Sequence, residues 1–484
     1  MLSVAPEKAP VRPSGSSPPP PRVDPPPEPE LPSLPSAAPQ TAGMPATMRA
    51  VVARAAPTPS PALDPDAVHL VFSTDCSGYQ HWQSIALWYS AQRVGHTAPV
   101  TRIASSCDES ARAPIAHEWA RIDPAGRFRV HFTPPMELKG GSYKYSNKPG
   151  GLRHWLAHAQ PAVTERFVAL LDPDQILLRP ITVAIGAGLR PSPSGRGELV
   201  DADGVPRLLA RDARAMPQRV ARRQAAAQQF GIGGAWANAM TPKARPSWVH
   251  FSRAKVCGEG APCTRTSPQL AETSYSVGPP YIAHIDDWRE IADQWWDMMP
   301  RVHAQYPHLL AEMYAFSMAA ANLTLPIAQL HHYMVSDVGA GGEGWPWVER
   351  LAETGAARAL CAGAGPHTPP ASTRDPRAAL PTVLHHCQRY SIASTNFAKR
   401  QVPHNFFSCG ARALPFAHVD IIAQLESSAA PSRQLKRHAF MVCNLVPRIN
   451  AAQRDYQRTL CGASGNATRT TRRSPARRRP ALRR

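Results

Sequence analysis

From residue 68 onward the chain alternates short apolar runs with helical stripes. Val68-His69-Leu70-Val71-Phe72 reads as a buried strand, and Ser73-Thr74-Asp75-Cys76-Ser77-Gly78 as the loop that leaves it. Trp82, Ile85, Ala86 and Tyr89 then recur at i, i+3, i+4 and i+7, the apolar stripe of a helix. Gly95 stands where such a helix ends in the left-handed conformation. Pro99-Val100-Thr101-Arg102-Ile103 supplies a second strand. Strand, helix and strand within about 40 residues form a βαβ unit with a right-handed crossover, so the chain opens as α/β.

The pattern returns further on. Gly151-Leu152-Arg153-His154-Trp155-Leu156 predicts a helix, and Arg166-Phe167-Val168-Ala169-Leu170-Leu171 a buried strand. That strand should stop at Asp172-Pro173-Asp174, because proline offers no N–H to a central ladder. Residues 188–223, rich in Pro, Gly and Arg, read as an insertion, followed by the Gly-rich Phe230-Gly231-Ile232-Gly233-Gly234. Residues 281–321 recover helical character, and 355–380 read as a Pro/Ala-rich loop. No internal repeat is visible.

Composition changes this picture mainly at the ends. Nineteen of the 53 prolines fall within residues 1–65, which contain no aromatic residue. Such a stretch cannot bury enough surface to offset its ordering entropy, so it is expected to be a disordered tail. The formal net charge is +19, but the last sixteen residues hold eight arginines and no acid, which leaves +11 for the rest. The terminal run reads as a solvated basic tail, and no nucleic-acid partner is expected from it. The milder excess of the body suits an anionic ligand such as a nucleotide. The expected divisions are a tail at 1–65, a main domain at 66–415, an extension at 416–465 and a basic tail at 466–484. No run of eighteen apolar residues occurs, so no membrane span is expected in this sequence. The first residues lack the order of a signal peptide. Nine cysteines without a Cys-x-x-Cys predict neither a disulfide scaffold nor zinc, although Cys257 and Cys263 could close a small loop. Asn-x-Ser/Thr triplets at Asn322 and Asn466 lean toward secretion.

Asp172 and Asp174 stand at the C-terminal end of a parallel strand, where open α/β sheets bind ligands. Two carboxylates at i and i+2 can share a hard divalent cation that would bridge a substrate diphosphate; the plain alternative is a turn closing the strand. Asn147-Lys148-Pro149-Gly150-Gly151 could turn its backbone and the Lys148 ammonium toward a phosphate, or be an ordinary loop before a helix. In His284-Ile285-Asp286-Asp287-Trp288 the acids could meet an acceptor hydroxyl or cap the helix that follows. Glu312, alone among apolar neighbours, is either a helix edge or a buried functional acid. His385 and His386, after the apolar Val383-Leu384, could include a third metal ligand.

The ordered set of these pieces resembles the peptidyl serine α-galactosyltransferase and hydroxyproline O-arabinosyltransferase families. It runs from Ser73-Thr74-Asp75-Cys76 and Trp82-Gln83-Ser84 through Asn147-Lys148-Pro149-Gly150-Gly151, Asp172-Pro173-Asp174 and Arg179-Pro180-Ile181. It continues through His284-Ile285-Asp286-Asp287, Glu312-Met313-Tyr314, His385-His386-Cys387 and Phe406-Phe407-Ser408-Cys409. The resemblance implies a GT-A-like (Rossmann-like) nucleotide-sugar-binding fold that moves galactose, or arabinofuranose, from a UDP-sugar to Ser or hydroxyproline of Pro-rich glycoproteins. The alternative is a non-catalytic glycan- or peptide-binding scaffold on the same fold. By the resemblance Asp172, Asp174 and His385 would hold Mn²⁺ (or Mg²⁺), and Thr74, Asp75, Asn147 and Lys148 would receive the nucleotide sugar. Asp286 and Glu312 would serve donor sugar or acceptor. Pro173 replaces a small residue of the family pattern, and His386 replaces a tyrosine. A Golgi or ER lumen location follows from the resemblance, although the family's N-terminal anchor is not seen. The chain is therefore expected to start downstream of such an anchor or to be targeted differently.

Overall fold

The computed structural model describes residues 64–462, apart from 137, 139–142, 187–189, 194–197, 201–205, 210–216, 241–243, 245, 332, 342, 354–359, 362–380 and 428–430. The tails expected at 1–65 and 466–484 and most of the 355–380 loop therefore lie outside the described residues. By contacts, the described residues form one unit.

Its centre is a seven-stranded sheet. The strands are β1 (Val68–Thr74), β2 (Val100–Ser105), β3 (Phe128–Thr133), β4 (Phe167–Leu171), β9 (Ala225–Gln229), β10 (Val277–His284) and β11 (Ile327–Leu330). Between β4 and β9 lie β5 (Gln175–Leu177) and β6 (Arg190–Pro191), β7 (Glu198–Val200) and β8 (Pro206–Leu209), the last three forming a small sheet within the predicted insertion. The order across the main sheet is β11-β9-β10-β4-β1-β2-β3. β3, β2, β1 and β4 run parallel, while β10 is antiparallel to both β4 and β9. This is the expected α/β architecture, with a mixed sheet whose first four strands in chain order are parallel.

β1 is apolar almost throughout because helices cover both faces of a parallel sheet. Its side chains alternate between two cores. Leu70 and Phe72 join Trp82, Ile85 and Trp88 on one face, and Val71 joins Ile103, Leu152 and Trp155 on the other. The first face carries α1 (Gly78–Arg93), α2 (Glu109–Ile122) and, far along the chain, α6 (Arg433–Leu460). The second carries α3 (Asn147–His158), α4 (Ile285–Gln305) and α5 (Ala311–Asn322). The predicted stripe of α1 is buried, and so are Leu87, Trp88 and Ala91 outside it, because α6 packs over the helix as well. α1 ends at Gly95, whose φ of +76° is the left-handed turn expected there.

The cysteines differ from expectation. Eight of the nine pair, as Cys76–Cys107, Cys257–Cys263, Cys361–Cys443 and Cys409–Cys461, leaving Cys387 free. Only the pair six residues apart was legible, since the others are separated by 31, 82 and 52 residues. No helix among the described residues is long and apolar enough to cross a membrane.

Candidate functional site

β4 delivers Asp172 and Asp174 to the C-terminal edge of the parallel strands. The turn between them is fixed by Gln175, whose side-chain oxygen accepts from the Asp172 amide at 3.1 Å. Gln175 opens β5, which pairs antiparallel with β12 (Val383–His385), and that register sets His385 opposite Gln175. A histidine more than 200 residues away is thereby held over the carboxylates, and ligand atoms of Asp172, Asp174 and His385 all lie within 4.8 Å of one another. His385 Nε2 is 3.2 Å from Asp174 Oδ1 and 3.9 Å from Asp172 Oδ2, while its Nδ1 lies 3.2 Å from Met334 Sδ. Pro173 leaves both carboxylates facing this point. Two carboxylates and one imidazole fit Mn²⁺ better than Mg²⁺, which favours an all-oxygen shell.

Of the two adjacent histidines only His385 takes part. His386 is fully buried between Trp82 and Phe397, at ring distances of 5.6 and 5.8 Å, and neither of its nitrogens has a hydrogen-bond partner. Burial pushes it down to about 3, so it is a neutral core residue.

The charges around the carboxylates are balanced by three basic groups. Burial alone would raise Asp174, but His385 and the Lys399 ammonium, which donates to Asp174 Oδ2, hold it well below the usual range. Lys148, at the start of α3, stands 2.8 Å from Asp172 Oδ1 and 2.8 Å from Glu312 Oε1 on α5. Burial disfavours its charge, yet these two carboxylates outweigh that and raise it well above an ordinary lysine. Glu312 is raised, by burial first, with Lys148 opposing and Asp172 adding. Its backbone is pinned as well: the carbonyl accepts from Trp295 Nε1 at 2.7 Å, and the amide donates to Tyr143 Oη at 3.2 Å. Its second oxygen, Oε2, is buried without a partner, as is the Tyr281 hydroxyl. A buried acid, a fixed cation and a metal-competent cluster thus stand side by side.

The remaining predicted residues fall in different places. Thr74 and Asp75 lie at the same sheet edge, since Phe72 pairs with Leu171. Their polar groups are already engaged. Thr74 Oγ1 accepts from Arg102 Nε at 2.8 Å, and Asp75 Oδ1 accepts from the Ser77 amide and hydroxyl at 2.8 and 2.5 Å. Asn147 begins α3, with its carbonyl accepting from Ser73 Oγ at 3.1 Å. Its amide donates to the preceding turn of 3₁₀ helix, so the helix start does not offer it to a ligand. Gly150 and Gly151 are not a phosphate turn either. A Cβ on Gly150 would stand 2.6 Å from Trp296, and one on Gly151 2.8 Å from Ile103, so the pair lets α3 approach the sheet and α4. Asp286 is not part of the cluster. It follows His284, which pairs with Phe167 at the opposite end of β4, and it is tied to Arg222 and Arg289 at 3.0 and 2.7 Å. His284, rather than the Asp pair, caps α4 by accepting from the Asp286 amide.

Sequence reasoning missed Lys399 and Arg102. Lys399 follows the hairpin Arg389–Ile392/Thr395–Ala398 and carries no local signal. Arg102 is fully buried within β2, and it donates to Thr74, to the Asp75 carbonyl and to His81 Nδ1 at 2.8 Å each. A guanidinium only donates, so His81 carries its proton on Nε2 and presents it to Glu118 at 2.9 Å. This chain braces the loop after β1 from below.

Residues 68–188 match the model of the hydroxyproline O-arabinosyltransferase family N-terminal domain. A peptidyl serine alpha-galactosyltransferase of Arabidopsis thaliana is 33% identical over 118 residues, 24% of this chain and 14% of that protein. One of Chlamydomonas reinhardtii is 30% identical over 122 residues, 24% of this chain and 15% of that protein. The match thus spans about a seventh of the length of these relatives. Among solved structures, the apo bifunctional glycosyltransferase WbbM overlaps 68% of this chain and 47% of its own at 11% identity and a TM-score of 0.33. The galactosyltransferase LgtC with donor and acceptor sugar analogs overlaps 66% and 87% at 11% identity and 0.31.

Proposed function

We propose that this chain is a glycosyltransferase that moves a sugar, galactose foremost and arabinofuranose second, from a UDP-sugar to Ser or hydroxyproline in Pro-rich proteins. The observation that carries this reading is the Asp172–Asp174–His385 cluster, joined through Lys148 to Glu312, at the ligand-binding edge of the sheet. Asp172, Asp174 and Lys148 of this cluster lie in residues 68–188, the segment similar to enzymes named for that chemistry. Asp172, Asp174 and His385 would hold Mn²⁺, which when bound supplies positive charge to a donor diphosphate. Lys399 and Lys148 add fixed positive charge on either side of the same carboxylates, suited to a departing UDP. Glu312, whose acidity burial weakens, would contact the transferred sugar or the acceptor hydroxyl. Thr74 and Asp75, anchored by Arg102, and Asn147 at the head of α3 form the rim on which the nucleotide would rest. Four disulfides suit an oxidising compartment, in keeping with a Golgi or ER lumen location. Residues 66–415 would form the catalytic unit and 416–465 an extension that α6 packs onto it.

The test is a transfer assay on the full chain with Mn²⁺, a panel of UDP-sugars and Ser- or hydroxyproline-rich peptides, reading both glycopeptide and UDP release. Transfer should appear with one donor and fall by at least about 100-fold in D172N/D174N. Absence of transfer with every donor would sink the enzyme reading and leave a binding scaffold. Activity that survives D172N/D174N would refute the metal assignment.

A further inference from the structure

A second group of metal-ligating side chains lies away from the carboxylates. His131 sits in the edge strand β3, and His154 and His158 are one turn apart near the end of α3. His131 Nε2 is 2.8 Å from His154 Nδ1, and the His154 and His158 rings are 4.6 Å apart. Lys148, which reaches Asp172, lies at the other end of this helix. At 1.5 Å per residue it is about 9 Å along the axis from His154, so the two clusters are separate.

We propose that His131, His154 and His158 form a second metal site, which takes a borderline transition-metal cation such as Zn²⁺ or Cu²⁺ through imidazole nitrogen. Histidines at i and i+4 are the spacing by which one helix face presents two imidazoles to a single zinc ion. The neighbouring strand supplies the third. Without metal, His131 and His154 share one proton between two facing nitrogens. A tetrahedral cation with Zn–N distances of about 2.0–2.1 Å sets its nitrogens about 3.3 Å apart, so replacing that proton opens the pair by only about half an ångström. His158 is exposed and completes the set by rotating its side chain. The donors are all imidazole, which favours Zn²⁺, Cu²⁺ or Ni²⁺ over the hard Mg²⁺ and Ca²⁺. The fourth position is left to water. Bound there, the cation would clamp the end of α3 to the sheet edge.

The experiment uses the full chain stripped with chelator. Cu²⁺ is added at one equivalent and the nitrogen superhyperfine pattern is read by electron paramagnetic resonance, and Zn²⁺ affinity is read by calorimetry. The carboxylate cluster can offer Cu²⁺ a single imidazole, whereas the histidine trio offers three. The expected result is a pattern of more than one nitrogen that simplifies in H131A and H154A. Zn²⁺ affinity should fall at least about ten-fold in H154A and H158A and persist in D172N/D174N. A one-nitrogen pattern in the unaltered chain would overturn the proposal. So would Zn²⁺ affinity unchanged in H158A, a substitution at an exposed position that leaves the packing intact.

Discussion

Replacing Lys148 by methionine isolates what the bridge between Asp172 and Glu312 contributes. The ammonium stands 2.8 Å from an oxygen of each acid, so those oxygens are at most about twice that distance apart. Methionine keeps much of the side-chain volume and removes the charge, which leaves two carboxylates facing each other with little solvent between them. At an effective dielectric of about 20, unit charges some 5.6 Å apart repel by about 3 kcal/mol. Stripping one partner from a buried ion pair costs about 3–5 kcal/mol. The two routes agree, and K148M is expected to lose about 3–4 kcal/mol in urea denaturation near neutral pH. The loss should depend on pH in one direction. Glu312 is already raised by burial, and without Lys148 it rises further and takes up a proton. A folded state that binds more protons than the unfolded one gains stability as pH falls, so the deficit shrinks on acidification toward the unfolded carboxylate pKa. K148M/E312Q, which has one charge fewer to accommodate, should recover at least half of the loss. A deficit below about 1 kcal/mol, or no recovery in the double variant, would refute the view that Lys148 compensates buried charge.

Other expectations follow from the same geometry. Gly151→Ala gains about 1 kcal/mol of helix propensity but places a Cβ 2.8 Å from Ile103 Cγ2 and 3.3 Å from Ser105 Oγ. Overpacking costs about 1–3 kcal/mol, so calorimetry should show a net loss and a lower Tm; a raised Tm would contradict it. His96 is held down at about 4 by burial, with one ring nitrogen unpartnered. Its stabilising neutral form is fully present above the unfolded value near 6.5 and is lost as pH falls toward 4. Between about pH 7 and pH 5 the unaltered chain should therefore lose about 2 kcal/mol more than H96Q, and parallel urea curves for the two would exclude this. Removing the Cys361–Cys443 link as C361S/C443S releases an 82-residue separation and should cost about 2–4 kcal/mol, read by denaturation with and without reductant; coincident curves would show that the link does not form. Lys399→Met removes the ammonium on Asp174 and should weaken UDP-sugar use in KM and kcat together while Mn²⁺ binding is retained; unchanged kinetics would leave Lys399 a structural partner only.

Much of the scaffold was legible because parallel strands buried on both faces leave a local mark. β4 is a continuous apolar run and β1 is apolar but for His69 as far as Phe72, and the acids that end β4 stand out against them. What stayed hidden is whatever depends on pairing at long range. Lys148 and Glu312 are 164 residues apart and Lys399 and Asp174 are 225 apart, and no periodicity connects them. Asp286 misled for the same reason. His284-Ile285-Asp286 adjoins β10, and only the antiparallel pairing of β10 with β4 sends that end of the strand away from the site. Arg102 was read only as one residue of the second strand, although its buried guanidinium orders the loop after β1.

The choice between His385 and His386 shows most directly how register makes this site. Adjacent residues leaving a strand point to opposite sides, so the sequence fixes that one histidine faces the acids while the other does not. It does not say which. The answer lies in the β12–β5 pairing, in which His385 stands opposite Gln175 and the His386 amide goes on to donate to the Asp174 carbonyl at 3.0 Å. The same Gln175 accepts from the Asp172 amide, so one residue sets both the turn that aims the carboxylates and the partner that aims the imidazole. A slip of one residue would turn His386 toward Asp172 and Asp174 and press His385 against Trp82. The burial of His386 between Trp82 and Phe397 opposes that slip, because a ring whose two nitrogens lack partners is tolerated there only while neutral. His386 thus acts on the site by holding its neighbour in place. H386F should preserve the cluster, whereas H386K, which forces a charge into that pocket, should unseat His385 and abolish Mn²⁺ binding; Mn²⁺ affinity retained in H386K would show that the register is held elsewhere.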